Sequence, residues 1–251
     1  MRITILIAAL ACSAVARPAR AQTQTPRPRQ TERFFVTVAA GGQLSKLTLD
    51  RNTTPTFYAE PGSVHQHFRM PASARFEVGG GIRFSRIDIG ATVGMSRGDA
   101  RLDVTAGIPH PFFFAQFRPA ALSDPAHHAI LDLNVDLTIR LFRWRTMSVS
   151  VGSGPTYTRL TQEIETALNI SDVYPYDTVT IQSFAMTTVR GSGIGAHVLG
   201  SVTYPLRRRL LATGLVRYTS VKATTPMETG ASDVRWPVGG AQVAGGLRIV
   251  F

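Results

Sequence analysis

Alternation of apolar and polar residues with a period of two runs through much of the chain. From 131 to 141, Leu131, Leu133, Val135, Leu137, Ile139 and Leu141 form one row, and Asp132, Asn134, Asp136, Thr138 and Arg140 the other. Successive side chains of an extended strand point to opposite faces, so such a run predicts a strand with one apolar and one polar face. Phe76, Val78, Ile82 and Phe84 stand against Arg75, Glu77 and Arg83 in the same way. Ile87, Ile89, Ala91, Val93 and Met95 stand against Asp88, Thr92 and Ser96. At the end of the chain, Ala241, Val243, Gly245, Leu247, Ile249 and Phe251 alternate with Gln242, Ala244, Gly246, Arg248 and Val250. Strands are predicted at about 32–45, 73–84, 86–97, 128–142, 146–160, 191–204, 208–222 and 238–251.

Their connections fall into two classes. Those at 85–86, 143–145 and 205–207 are short, whereas 46–72, 98–127, 161–190 and 223–237 are long and rich in Pro, Thr, Asp and His. Strict alternation of the two predicts an all-β, eight-stranded antiparallel up-and-down barrel with short turns on one side and four long loops on the other. No run of eighteen apolar residues is available for a transmembrane helix. Two barrels have this rhythm: a membrane barrel with its apolar row outward, and a soluble lipocalin-like binder with it inward. Gly42, Gly80, Gly200 and Gly245 on the apolar row, and Arg mixed with Asp and Glu on the polar row, favour the membrane form. So do Phe34, Phe84, Phe142, Trp144, Tyr204 and Phe251 at the short-turn end and Tyr157 and Tyr218 toward the loops, since aromatics gather at bilayer interfaces.

The first residues change the picture from a barrel to an exported barrel. Arg2, the apolar stretch 3–16 and Ala19-Arg20-Ala21 read as a signal peptide over 1–21, cleaved near Ala21. A lead-in over 22–31 and a barrel domain over 32–251 follow. The one cysteine, Cys12, lies in the leader, where a lipoprotein reading places Leu10 one position off. Loss of Arg2, Arg17 and Arg20 lowers the formal net charge from +11 to +8. Arg86, Arg143, Arg145, Arg207, Arg208 and Arg209 concentrate the excess at the short-turn end, with Arg27, Arg29 and Arg33 beside it. A nucleic-acid partner is excluded, because no basic stripe alternates with exposed aromatics.

An eight-stranded barrel is just wide enough for side chains to fill. The polar row supplies Arg75, Glu77, Arg83, Asp88, Asp132, Asp136, Arg140, His197, Arg217 and Arg248. Paired, these plug the lumen; as switchable pairs they form a narrow solute channel. No metal is expected, because His65-Gln66-His67, His127-His128 and His110 define no third ligand. No catalytic residue and no cofactor are expected either. Arg190-Gly191-Ser192-Gly193 opens a strand instead of a nucleophile elbow, no histidine joins a serine on an apolar row, and Gly79-Gly80-Gly81 and Gly239-Gly240 open no helix. An outer-membrane lipid-modifying enzyme is the remaining alternative.

The chain resembles the small eight-stranded outer-membrane barrels of double-membraned bacteria, OmpA-barrel-like or OmpW-like. The last strand carries the resemblance, with Gly246, Ile249 and Phe251 at the positions of the assembly signal and Ala244 where a polar residue is usual. The resemblance implies residence in the outer membrane among its lipids and lipopolysaccharide, and recognition by the barrel-assembly machinery. OmpW-like membership implies a path for small apolar compounds, which no residue here matches.

Overall fold

The computed structural model describes residues 33–225 and 234–251, so the expected leader, its cleavage site, the lead-in and part of the last long connection lie outside the described residues. The strands are β1 (Phe34–Gln43), β2 (Leu47–Thr53), β3 (Thr56–Phe57), β4 (Glu60–Pro61), β5 (Ser63–Met70), β6 (Ser73–Phe84), β7 (Ile87–Pro109), β8 (Phe117–Trp144), β9 (Met147–Asp172), β10 (Val179–Pro205), β11 (Leu210–Thr225) and β12 (Val234–Val250). Eight of them, β1 and β6 to β12, close an antiparallel ring: β1 pairs with β6 and β12, and β7 with both β6 and β8. The short turns need left-handed backbone at Ser85 (φ 49°) and Arg145 (φ 54°).

The three long connections described throughout, 46–72, 98–127 and 161–190, stand on one side of the ring, as expected, but are largely paired strand instead of loop. The β7–β8 ladder runs past Arg97↔Ala129 to Pro109↔Phe117. The β9–β10 ladder reaches Asp172↔Val179. β5 pairs with β7 from Arg69↔Arg101 to Ser63↔Gly107, above the point where β6 stops, and β2 pairs with β5. Thus β2 and β5 continue the wall over β1 and β6, and the hairpin over 98–127 lengthens two ring strands without adding to their number.

The reason lies in a reversal of faces. Along β7 the inward row reads Asp88, Gly90, Thr92, Gly94 and Ser96, then changes to Ala100, Leu102, Val104, Ala106 and Ile108. The outward row is apolar through Met95, then continues as Arg97, Asp99, Arg101 and Asp103. Period two persists while the two faces exchange character near Gly98. Below that level Leu131, Leu133, Val135, Leu137, Ile139 and Leu141 are all outward and exposed. Eleven residues at ~3.3 Å each, tilted by ~40°, span about 28 Å, close to the apolar band of a membrane barrel. The aromatics at both ends of this belt, among them Phe34, Trp144, Tyr204, Tyr157 and Tyr218, are exposed.

Above the belt the interior is an apolar core built on Phe68, Leu102, Val104, Ile108, Ile130, Leu160 and Trp236. Phe68 meets Trp236 edge-on at 5.6 Å. The inside-out assignment of a lipocalin therefore holds for the upper wall and fails for the belt. At the boundary, β12 carries Gly239 (φ 124°) and Gly240 (φ 100°), a backbone that other residues adopt only with strain. Added to Gly240, a Cβ would stand 2.2 Å from Ser45 Oγ. Beside this glycine pair the β1–β12 ladder ends at Gln43↔Gln242, where Ser45 Oγ accepts the Ala241 N–H (2.6 Å) and Gln43 Nε2 donates to Gly239 O (2.8 Å).

Candidate functional site in the barrel lumen

The belt strands bring all ten charged or titratable residues of the predicted polar row to the inner face. They sort into two layers. In the upper one, Arg75 on β6 donates through Nε to Glu77 Oε1 (2.6 Å) and through Nη1 to Asp132 Oδ2 on β8 (2.6 Å). Glu77 Oε1 also accepts from Arg217 Nη1 on β11 (2.8 Å). Arg217 Nη2 lies 3.8 Å from Asp136 Oδ1, and His197 Nε2 on β10 lies 2.8 Å from the same oxygen. Arg75, Glu77, Asp132, His197 and Arg217 are buried. Charges taken out of water need partners, and here Asp132 and Asp136 also take hydroxyl donors. Thr158 donates to Asp132 (2.6 Å) and Thr92 to Asp136 (2.8 Å). Thr156 donates to Asn134 Oδ1 (2.8 Å) and lies 2.8 Å from His197 Nδ1.

The lower layer, nearer the short turns, gathers cations around one acid. Arg83 holds Asp88 in a fork, with both N–O distances 3.0 Å. Arg248 Nη1 reaches Asp88 Oδ2 at 3.3 Å, and Arg140 Nη2 lies 3.8 Å from Oδ1. Arg248 also donates to Thr37 (3.0 Å) and stacks 4.3 Å above the Phe35 ring. Between the layers is a cavity of about 50 Å³, lined by Thr37, Gly79, Gly90, Thr138, Ser201 and Thr213 among others. Over the upper layer, buried Gln43, Ser96, His128, Gln162 and Gln242 lead into the apolar core.

Glycine makes this packing possible. A Cβ on Gly94 would fall 2.1 Å from Arg75 Nη2, so the guanidinium lies where a side chain would otherwise project. Gly246, expected in the assembly signal, faces inward, and a Cβ there would meet Val38 O at 2.0 Å. Ile249 and Phe251 face outward and are exposed, and Phe251 N donates to Phe34 O (2.9 Å).

A second polar cluster, far from the belt, lies in segments that the sequence pattern reads as loop. Arg118, at the start of β8, donates to Asp172 at the end of β9 (2.7 and 3.2 Å) and to the carbonyls of Pro109 (2.9 Å) and Tyr176 (3.0 Å). The Tyr58 hydroxyl also donates to Asp172, and Glu60 accepts from Ala115 N (3.2 Å). Three hairpin tips are thereby latched together. Burial opposes ionisation of Asp172, but the Arg118 and Tyr58 hydrogen bonds outweigh it and lower its pKa. The same bond to Asp172 raises that of Tyr58. The His-x-His pair leans on a carboxylate: His67 Nδ1 lies 2.5 Å and His65 Nε2 3.6 Å from Asp50 Oδ1.

No family model matches the chain, and no curated protein matches it. Among solved structures it is similar to Neisserial surface protein A, at 11% identity and a TM-score of 0.47 over 87% of this chain and 97% of that one. It is also similar to a major outer membrane protein from Thermus thermophilus, at 12% identity and a TM-score of 0.44 over 87% and 99%. The outer membrane protease OmpT from Escherichia coli gives 8% and 0.42 over 88% and 98%. These likenesses are of barrel architecture and carry nothing about activity.

Proposed function

We propose that the chain is an integral outer-membrane barrel with a structural and surface-interaction role, its lumen closed by the Arg, Asp and Glu network. Its short turns face the periplasm and its extended wall projects from the cell among lipopolysaccharide, after export by the N-terminal leader and insertion by the barrel-assembly machinery. The observation that carries this reading is the sharing of Glu77 between Arg75 and Arg217, with Arg75 also on Asp132, so that side chains from β6, β8 and β11 meet across the bore. Fully buried ion pairs of this kind leave no room for a hydrated ion, and opening them strands a charge.

Planar-bilayer recording of the refolded protein tests it. The expected trace shows no steady current at neutral pH. A stable conductance would overturn the closed lumen in favour of a narrow channel. That channel would select anions, because Arg83, Arg140 and Arg248 outnumber Asp88 in the lower layer.

A further inference from the structure

The outward face just above the apolar belt carries arginines of a different kind from those in the lumen. Register places Arg97 on β7 opposite Ala129 on β8, Ala129 opposite Thr161 on β9, and Thr161 opposite Arg190 on β10. Arg159 lies two residues from Thr161 on the same face of β9, and all three arginines are exposed. Arg97 and Arg190 are three strand spacings apart, about 14 Å between backbones. The two positions between them hold only Ala129 and Thr161, which floor a shallow recess bounded by Arg97, Asp99, His127 and Glu163, with Arg159 and Arg190 beside it on the same outward face. Immediately toward the belt come Met95, Leu131, Tyr157 and Ile194, all exposed.

Among the described residues, none of these three arginines forms an ion pair, whereas Arg69 and Arg101, farther out, share Asp103 at 3.3 and 3.1 Å. The nearest outward carboxylates are occupied by His127: Asp99 Oδ1 lies 2.9 Å from its Nδ1, and Glu163 accepts its backbone N–H at 2.8 Å. The three guanidiniums thus outnumber the two carboxylates beside them and pair with neither, above an apolar lower edge at the level where acyl chains give way to headgroups. Arginine forks match phosphate oxygens in pairs, and a phosphate held there brings its acyl chains against the belt.

We propose that Arg97, Arg159 and Arg190 form a docking patch for the phosphate of an outer-leaflet lipid headgroup. This rests on the membrane orientation proposed above. The test uses full-length protein refolded into phosphatidylcholine vesicles containing lipid A, either phosphorylated or dephosphorylated. After mild detergent extraction, retained lipid A is counted by native mass spectrometry. Wild type should retain the phosphorylated form at least roughly tenfold over the dephosphorylated one. The combined Arg97→Gln, Arg159→Gln and Arg190→Gln variant should lose that preference. The Arg207→Gln, Arg208→Gln and Arg209→Gln variant, altered at the opposite end, should keep it.

Equal retention of both lipids by wild type overturns the patch, as does an unchanged preference in the first variant or an equal loss in the second. If the first variant fails to insert, each single substitution must lower the preference, and three unchanged single variants overturn it too. Failure of wild type to float with the vesicles would instead reject the membrane reading itself.

Discussion

Glu77 balances the upper lumen because one oxygen accepts from two arginines, Arg75 at 2.6 Å and Arg217 at 2.8 Å. Glu77→Ala leaves both guanidiniums short of a partner where neither reaches water, and should destabilise the barrel by ~3–5 kcal/mol. Arg101→Ala breaks an exposed pair and should cost about 0–1 kcal/mol. Urea unfolding in vesicles, read by heat-modifiable migration, distinguishes the two, and similar costs would mean that the lumen is wet. The tip latch has its own acid limit. Because the pKa of Asp172 is lowered from 3.8, its contribution is complete above the ordinary carboxylate value and lost as pH falls through the depressed one. Proteolysis of the 110–116 turn by an acid-active protease should therefore accelerate only below about pH 4. Acceleration already between pH 6 and 7 would place the latch elsewhere.

Each long ring strand is two strands in physical terms, joined where its faces exchange roles. On β7, Val93→Arg puts a charge into lipid and should cost about 2–4 kcal/mol. Thr105→Arg, also outward but above the belt, should lie within about 0.5 kcal/mol of neutral. Inward on the upper part, Leu102→Ala should cost about 2–5 kcal/mol through the cavity it leaves. Equal sensitivity at Val93 and Thr105 would show that the belt extends farther than its outward apolar residues do. The belt strands were legible in the sequence because each keeps one polarity per face over its length. The upper wall was not, since Arg97, Asp99, Arg101 and Asp103 on one row read as loop to any rule that expects the apolar row to stay on one side. The charged members of the lumen were legible from their row alone. Their pairing was not, because whether Arg75 meets Asp132 or Asp136 depends on the stagger of strands that are distant in sequence.

At the scale of the whole molecule, the chain joins a membrane barrel to an extended wall around a soluble-type apolar core, and its two tryptophans report on one part each. Trp144 is 66% exposed at the short-turn end of the belt, while Trp236 is 2% exposed within the upper core against Phe68. An indole at the bilayer interface is within reach of quenchers on the lipid, whereas one packed in an apolar core above the bilayer is shielded from both lipid and water. In vesicles containing brominated phospholipid, Trp144 should be quenched and Trp236 should not. The Trp144→Phe variant should therefore keep its fluorescence when brominated lipid replaces ordinary lipid, and aqueous acrylamide should quench it weakly. Strong lipid quenching of Trp236 would mean that the bilayer covers the upper wall, placing Arg97, Arg101 and Arg159 in hydrocarbon. That position is energetically untenable for so many unpaired or half-paired guanidiniums, so such a result would refute the division of the wall at Gly98.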